Sequence, residues 1–328
     1  MARSVAEYFA TNFTKCTDEE SFLASWRGLA YLSHIVQGIT LPIQILTFYL
    51  ILYKTPKSMR CTALDVEICT LMTPFIFLPS VSGFTVGVLN LFGVSLLVQV
   101  SSGILTIIAV ALSFLYLFES RSSSIQENRF RMQSPLTRCV YYVSNYVFGC
   151  LVFLVLQKIP SDQEEAKLEV LRTLPCPTKD FFTSPTEVLL TDPFWIRWVI
   201  YFMAPLNLLV LFSQVFFYTA CCIFHLYCSL STKISSQTRR SQRKFFFGIL
   251  AQAGIPLIII AIPGTFIFSA MSTGECSQEL SNLLIIFVGF HGLIESVIII
   301  LVHRSYRDAV KCILCGGTPS SEFPEPKV

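Results

Sequence analysis

Seven long apolar stretches divide this chain of 328 residues and limit the solvent in which it can fold. They cover about residues 29–53, 63–82, 89–118, 139–157, 198–227, 245–270 and 280–302. Each has roughly the 20 residues with which a helix crosses about 30 Å of hydrocarbon. The sequence therefore predicts an all-α membrane protein, a bundle of seven transmembrane helices.

The basic residues of the short loops fall on one side of this predicted bundle. Lys and Arg occur in the loops after the first, third and fifth stretches, and the short loops after the second and sixth contain neither. Cytoplasmic loops carry this excess of positive charge. We therefore expect an extracellular tail over residues 1–28, the bundle over 29–302 and a cytoplasmic segment over 303–328.

The composition excludes several classes of function. With 53% hydrophobic and 14% charged residues, the chain is not an ordinary soluble domain. Binding of nucleic acid would require a soluble module with a basic face, and the loops are too short to form one. The sequence also lacks the Gly-rich phosphate loop and the zinc-protease and serine-hydrolase motifs. We therefore expect no enzyme, no cofactor, no metal site and no nucleic-acid partner.

Three cysteines lie on the predicted outer side, where thiols oxidise. They are Cys16 in the tail, Cys176 in the loop over about residues 158–193, and Cys276 in the loop after the sixth stretch. Two of the three are expected to form a disulfide, and the sequence does not choose the pair. Asn12 begins a glycosylation sequon in the same tail. The long acidic loop either covers an outer cavity or serves as a mobile connector.

The segment after the last stretch has the pattern of an amphipathic helix. Between Arg304 and Cys315, basic residues alternate with apolar ones, so one side can face lipid headgroups and the other acyl chains. Cys312 and Cys315 are then either palmitoylated or unmodified thiols at the membrane edge. The tail beyond Gly317 is short and rich in proline, and it is expected to be disordered.

One acidic side chain lies deep in a predicted membrane helix. Glu295 is the only acid well inside a stretch, and His291 lies one helical turn away on the same face. Ionisable groups at such depth are costly and often functional. The pair is either an activation switch or ion site in the bundle interior, or an interhelical hydrogen bond that fixes helix seven.

Several segments resemble nematode serpentine chemoreceptors, and two of them resemble class H of that group. Lys54–Met59 resembles the first inner loop of these receptors, and Gln242–Gln252 resembles the class H start of helix six. His291–Gly292, followed by Leu301–Arg307, resembles the class H ending of helix seven. The chain departs from the pattern at Ser305, where the family usually has proline, and at Glu295, where it has a small hydroxyl residue.

The end of helix three resembles a Glu-Asn-Arg motif of the family. Glu119 and Arg121 directly follow the apolar stretch and are the preferred match, and Glu127-Asn128-Arg129 is a second match. An arginine at this place can hold a carboxylate in the resting state and release it toward a G protein. Alternatively, the two charges only fix the depth of the helix.

The resemblance also implies coupling residues beside helices six and seven. The basic residues at the start of helix six are Arg239, Arg240, Arg243 and Lys244. They either contact a G protein or are topogenic charges next to anionic lipid. Tyr306, in the matched segment after helix seven, belongs to the same predicted coupling surface.

The resemblance implies a G-protein-coupled chemosensory receptor for environmental or pheromone-like small molecules. Its expected partners are a heterotrimeric G protein, an unidentified small-molecule ligand and the lipid bilayer. Its expected place is the plasma membrane, with a sensory cilium as the implied site. A membrane transporter or channel is the main alternative, and a non-signalling scaffold is the third.

Overall fold

The computed structural model describes residues 3–16, 21–54, 71–228, 236–302 and 304–314. Among them, five helical segments are long and apolar enough to cross a membrane: Trp26–Ile51, Leu96–Ser124, Pro135–Lys158, Pro193–Tyr227 and Gln278–Leu301. A further helix, Ser236–Thr273, contains the uncharged sixth stretch. Of the second predicted stretch, 63–82, residues 63–70 lie outside the described ranges and 71–82 lie within them.

Helices dominate the described chain, and three short strands are inserted near its start and middle. The helices are α1 (Val5–Thr11), α2 (Trp26–Lys54), α3 (Val88–Leu91), α4 (Leu96–Ser124), α5 (Pro135–Cys150), α6 (Gln163–Thr173), α7 (Asp180–Thr183), α8 (Pro193–Arg197), α9 (Ala204–Ile223), α10 (Ser236–Thr273), α11 (Gln278–Gly289), α12 (His291–Val302) and α13 (Arg304–Leu314). The strands are β1 (Pro74–Phe77), β2 (Val81–Thr85) and β3 (Glu187–Leu190). Turns of 3₁₀-helix cover Phe13–Lys15, Phe22–Ala24 and Leu151–Lys158, and turns of π-helix cover Trp198–Met203 and Phe224–Cys228.

The long helices pack side by side as a bundle. α2 lies against α11 and α12, α10 lies against α12, and α4 lies against α5 and α9. α11 and α12 together form one span that is interrupted at Phe290. Several spans differ in extent from the predicted stretches. The third begins at Leu96 rather than near residue 89, and the fourth begins at Pro135 and finishes as 3₁₀-helix.

Residues 74–82, predicted as the end of the second membrane helix, form β-structure instead. Pro74 and Pro79 cannot donate the hydrogen bonds of a continuing helix. β1 pairs antiparallel with β2, which pairs antiparallel with β3 from the long loop. Phe75 and Phe77 alternate toward the buried face, the period of a strand. A Cβ at Gly83 would lie 2.2 Å from the Phe75 carbonyl oxygen, so this approach requires glycine.

One end of the bundle carries a folded cap, which consists of α1, the three-stranded sheet, α6 and α7. Its core is apolar and includes four phenylalanines and one residue of α2. The buried residues are Leu29 of α2 together with Phe75, Phe77, Phe84, Ala166, Val170, Leu171, Phe181 and Val188 of the cap. Polar bonds attach the cap to the helix ends. The Trp26 amide donates to Asp180 Oδ2 (2.7 Å), and Gln278 Nε2 donates to the Ile76 carbonyl oxygen (3.0 Å). The long loop is therefore folded and attached to the bundle end, and whether it covers an outer cavity stays a prediction.

The predicted amphipathic helix is present as α13, which lies at the other end of the bundle. Tyr306 and Ala309 are buried against Leu50, Ile51 and Ile299 of α2 and α12. Lys311 on the opposite face is exposed. The segment therefore packs on the bundle with its apolar side, as its sequence pattern predicts.

Candidate functional site

A polar cluster lies at the end of the bundle opposite the cap, where α4 finishes and α5 and α10 begin. We call this the distal end. Glu119 of α4 is fully buried there, with no exposed surface. Its Oε1 accepts hydrogen bonds from Ser123 Oγ (2.6 Å) and Arg138 Nη2 (3.0 Å), and its Oε2 accepts one from Tyr142 Oη (3.1 Å). A buried carboxylate needs a paired charge and satisfied oxygens, and Arg138 and Tyr142 of α5 supply both.

The same cluster fixes the segment between α4 and α5. Ser123 Oγ accepts from the Met132 amide (3.1 Å), and Arg138 Nη2 donates to the Met132 carbonyl oxygen (3.4 Å). Asn128 is buried, and its Nδ2 donates to Ser122 Oγ (2.8 Å). The connecting segment is therefore held against the end of α4 by side chains on both helices.

Glu119 and Arg121 belong to the same matched motif, and the arginine that pairs with Glu119 comes from the next helix. Glu119 forms its salt bridge with Arg138, the residue before the fourth apolar stretch. Arg121 is half-buried on α4. The second motif match, Glu127-Asn128-Arg129, lies in the turn that follows the helix. Sequence reasoning missed Arg138 and Tyr142, although their spacing of four residues places both on one helical face.

A second contact at the distal end joins the fifth and sixth spans. Arg243 of α10 donates from Nε (2.9 Å) and Nη2 (2.6 Å) to the Leu226 carbonyl oxygen. Its guanidinium also lies 4.3 Å from the centre of the Tyr227 ring. Carbonyl groups at a helix end lack partners within the helix, and a stacked cation adds attraction. Arg243, predicted to face a G protein, thus binds the end of the fifth span in this structure.

An apolar cluster closes the same region. Phe246 of α10 is buried against Cys222 and Leu226 of the fifth span and Ile125 at the end of α4. The third, fifth and sixth spans therefore contact one another at the distal end through buried apolar side chains.

The other predicted coupling residues have different surroundings. Arg240 is exposed on α10. Arg239 and Lys244 belong to the same helix, but their side chains lie outside the described part of the structure. Tyr306 is 7% exposed in the contact of α13 with the bundle. In this arrangement Tyr306 anchors α13 rather than presenting its ring on the surface.

Amides tie the fourth span to the fifth in the membrane interior. Gln214 of α9 accepts a hydrogen bond from Tyr141 Oη and donates from Nε2 to Asn145 Oδ1 (2.8 Å). Asn145 Nδ2 donates in turn to the Tyr141 carbonyl oxygen (2.9 Å). Interhelical bonds between polar side chains are a common means of helix association in lipid.

His291 and Glu295 lie one turn apart at the start of α12, next to the interruption at Phe290. Glu295 is 6% exposed, and Ser296 beside it is buried as well. His291 Nε2 is buried and, within the described ranges, has no hydrogen-bond partner. Both readings of this pair, a switch or a helix-fixing bond, remain predictions.

The three cysteines predicted to lie outside are a disulfide-bonded pair and one free thiol. Cys16 and Cys176 are bonded, with their Cα atoms 5.8 Å apart, so α1 is joined to the long loop. Cys276 is a free thiol whose Sγ lies 3.1 Å from Ser281 Oγ. Burial raises the pKa of the Cys276 thiol, and the hydrogen bond from Ser281 partly offsets that increase.

The predicted modification sites are only partly described. Asn12 is exposed at the end of α1, and its glycosylation stays a prediction. Cys312 is half-buried on α13, and Cys315 lies beyond the described residues. Within the described ranges, no three His, Cys, Asp or Glu side chains converge as a metal site.

Comparison with known proteins assigns the family. The model of the serpentine type 7TM GPCR chemoreceptor Srh family matches residues 24–316. The chain is 33% identical to serpentine receptor class H-72 of Caenorhabditis elegans, over 98% of this chain and 96% of that protein. The chain belongs to the Srh family. No solved structure matches it.

Membership in the Srh family confirms the resemblance on which the sequence prediction relied. The Srh chain is thus a multi-pass membrane protein of a seven-transmembrane chemoreceptor family, which is a class of receptors rather than of enzymes. The matched range includes the Glu119 cluster, Arg243 and α13. Asn12 and Cys16 precede the matched range, whereas Cys176 lies within it.

Proposed function

We propose that this Srh chain is a G-protein-coupled chemosensory receptor in the plasma membrane of a sensory cell, with its cilium as the site of detection. Its ligands are environmental or pheromone-like small molecules, and its intracellular partner is a heterotrimeric G protein. The cap faces outward and the distal end faces the cytoplasm. The alternating loop charge supports this orientation, as does the cap disulfide, since such bonds persist in oxidising compartments.

The observation that carries the proposal is the closed distal end. The Glu119–Arg138 pair joins the third span to the fourth, and the Arg243 contact joins the fifth to the sixth. In a two-state receptor, ligand binding shifts the population toward a state with different contacts. These two contacts are the ones that opening of the distal end would exchange for contacts with the G protein.

The proposed roles follow from position and charge. Glu119 and Arg138 hold the resting state, and Arg243 holds the fifth and sixth spans together. Once released, Arg243, with Arg239, Arg240 and Lys244 of the same helix, would add positive charge to the G-protein contact. Arg121, half-buried on α4, is placed to take part in the same exchange.

The experiment that tests this function measures nucleotide exchange on purified Gα subunits with the full chain in phospholipid vesicles. A panel of environmental and pheromone-like small molecules is applied, and ion flux is recorded from the same vesicles. Ligand-dependent exchange without flux is the expected result. Ligand-dependent flux without exchange on any Gα class would contradict the proposal and favour a transporter or channel.

A further inference from the structure

The most exposed large apolar side chains in the described chain are two neighbours at the cap end of the bundle. Leu91 is 83% exposed and Phe92 is 77% exposed. They lie in the turn between strand β2 and membrane helix α4, and we call residues 88–93 the tip. Water-facing surfaces seldom place two such side chains together. The tip therefore requires an apolar partner.

The tip is a fixed turn, so the exposure belongs to its fold. The Asn90 amide donates to the Gly87 carbonyl oxygen (3.1 Å), and the Val94 amide donates to the Leu89 carbonyl oxygen (3.2 Å). Gly93 has a φ of +69°, a left-handed conformation that favours glycine and reverses the chain. Buried Gln99 of α4 donates from Nε2 to the Val94 carbonyl oxygen (2.7 Å). The turn is thus attached to the first turns of the membrane helix.

Main-chain bonds also set the level of the tip along the bundle. The Gly87 amide donates to the Met72 carbonyl oxygen (3.0 Å), and Met72 is helical together with Leu71. The tip begins beside these helical residues and leads into α4 at Leu96. It therefore lies at the level of the helix ends rather than on top of the cap.

The chain on both sides of the tip is apolar and uncharged. Between residues 71 and 118 the chain contains no Asp, Glu, Lys or Arg. Leu97 and Val98 on the first turn of α4 are 42% and 56% exposed, so the apolar surface continues from the tip onto a membrane helix. This continuity distinguishes a lipid contact from an isolated protein-binding patch.

Aromatic residues at the start of the fifth span indicate the same boundary. Trp195 and Trp198 pack edge to face, 5.6 Å between ring centres, and Lys158 Nζ lies 5.5 Å from the Trp195 ring. Trp and Lys are typical of the interface between membrane and water. Lys158 ends the fourth span and α8 begins the fifth, so this group also lies at the cap end.

We propose that Leu91 and Phe92 insert into the lipid leaflet on the cap side, at the boundary of headgroups and acyl chains. The contact lies outside the membrane-spanning helices, and it does not depend on the coupling function proposed above. Only Val86 and Gly87 separate strand β2 from α3. Lipid bound by the tip would therefore hold the cap sheet at the membrane surface.

Tryptophan emission of the full chain in phospholipid vesicles tests this contact. Phe92→Trp adds a fourth tryptophan to the native three, and Leu91→Trp is a second variant for the case that the first does not fold. Glu165→Trp, at an exposed site on α6, is the matched control. The emission of the wild-type protein is subtracted from that of each variant.

We expect the added tryptophan emission of Phe92→Trp to be blue-shifted and to be quenched in vesicles of brominated phospholipid. The added emission of Glu165→Trp should instead be quenched by iodide in the aqueous phase. Loss with iodide at both sites would overturn the proposal, because the tip would then face water. Blue-shifted emission that neither quencher reduces would also overturn it, because protein rather than lipid would cover the tip. Neither result depends on G-protein coupling.

Discussion

Arg138 Nη2 lies 3.0 Å from Glu119 Oε1, so an ion pair binds the first turn of α5 to the end of α4. Glu119 is fully buried, while the side chain of Arg138 retains 36% of its exposed surface. One partner is therefore shielded and the other reachable from the distal surface.

Arg138→Gln removes the charge that compensates Glu119. We expect a loss of about 1–3 kcal/mol in the free energy of unfolding, because a buried acceptor is left without its donor. Thermal unfolding in detergent measures the change. Arg129→Gln, at an exposed arginine of the adjacent turn, is the matched control and should have little effect.

Coupling between the two residues distinguishes an ion pair from two independent effects. In Glu119→Gln/Arg138→Gln, the second substitution should cost less than it does alone, because no buried charge remains to be compensated. If the loss in the free energy of unfolding of the double variant equals the sum of the losses of the two single variants, the residues do not interact directly.

Arg243→Lys keeps the charge but loses the planar group that donates twice to Leu226 and stacks on Tyr227. We expect faster amide hydrogen exchange over Phe224–Cys228, where the π-helical turn loses its cap. Arg240→Lys on the exposed face of the same helix is the control. Equal exchange in both variants would mean that Arg243 does not hold the fifth span.

Cys16→Ser opens the bond between α1 and the long loop. The bond spans a sequence separation of 160 residues, and loss of a disulfide typically costs about 2–4 kcal/mol. We expect a lower unfolding temperature for Cys16→Ser and the same decrease for Cys176→Ser. In Cys276→Ser, reductant should lower the unfolding temperature as much as it does in the wild-type protein. A different decrease would mean that Cys276 takes part in a disulfide.

The Cys276 thiol should react slowly with iodoacetamide at neutral pH. Burial raises its pKa, and since the thiolate is the nucleophile, less of the reactive form is present below that pKa. Ser281→Ala removes the hydrogen bond that lowers the pKa, so the pH profile of alkylation, followed by peptide mass spectrometry, should move to higher pH. A shift to lower pH would contradict the assigned role of Ser281.

Apolar length and loop charge predicted the membrane bundle because both are local properties of the chain. The end of the second stretch was different. It contains enough apolar residues for a membrane helix, but Pro74 and Pro79 cannot donate helical hydrogen bonds. Strand β3, which pairs with this segment's hairpin, comes from the folded loop some 100 residues later. Apolar content alone does not distinguish a buried strand from a membrane helix.

The candidate site was predicted in part for the same reason. Glu119 and Arg243 could be chosen from their place beside apolar stretches, whereas the partner of each depends on how helices pack. Arg138 belongs in the sequence to the basic loop after the third stretch, and only helix packing makes it the salt-bridge partner of Glu119. Cys16 and Cys176 were two of three possible partners, and the fold of the cap decided between them.

The central claim is that the Glu119–Arg138 pair holds the resting state of a G-protein-coupled receptor. The most direct measurement is ligand-free nucleotide exchange on Gα by wild type, Arg138→Gln and the control Lys311→Gln, at an exposed cation of α13, with equal amounts of folded protein in vesicles. We predict that exchange rises for Arg138→Gln and stays at the wild-type rate for Lys311→Gln. An unchanged rate for folded Arg138→Gln, on a Gα that responds to the wild-type protein with ligand, would contradict the claim.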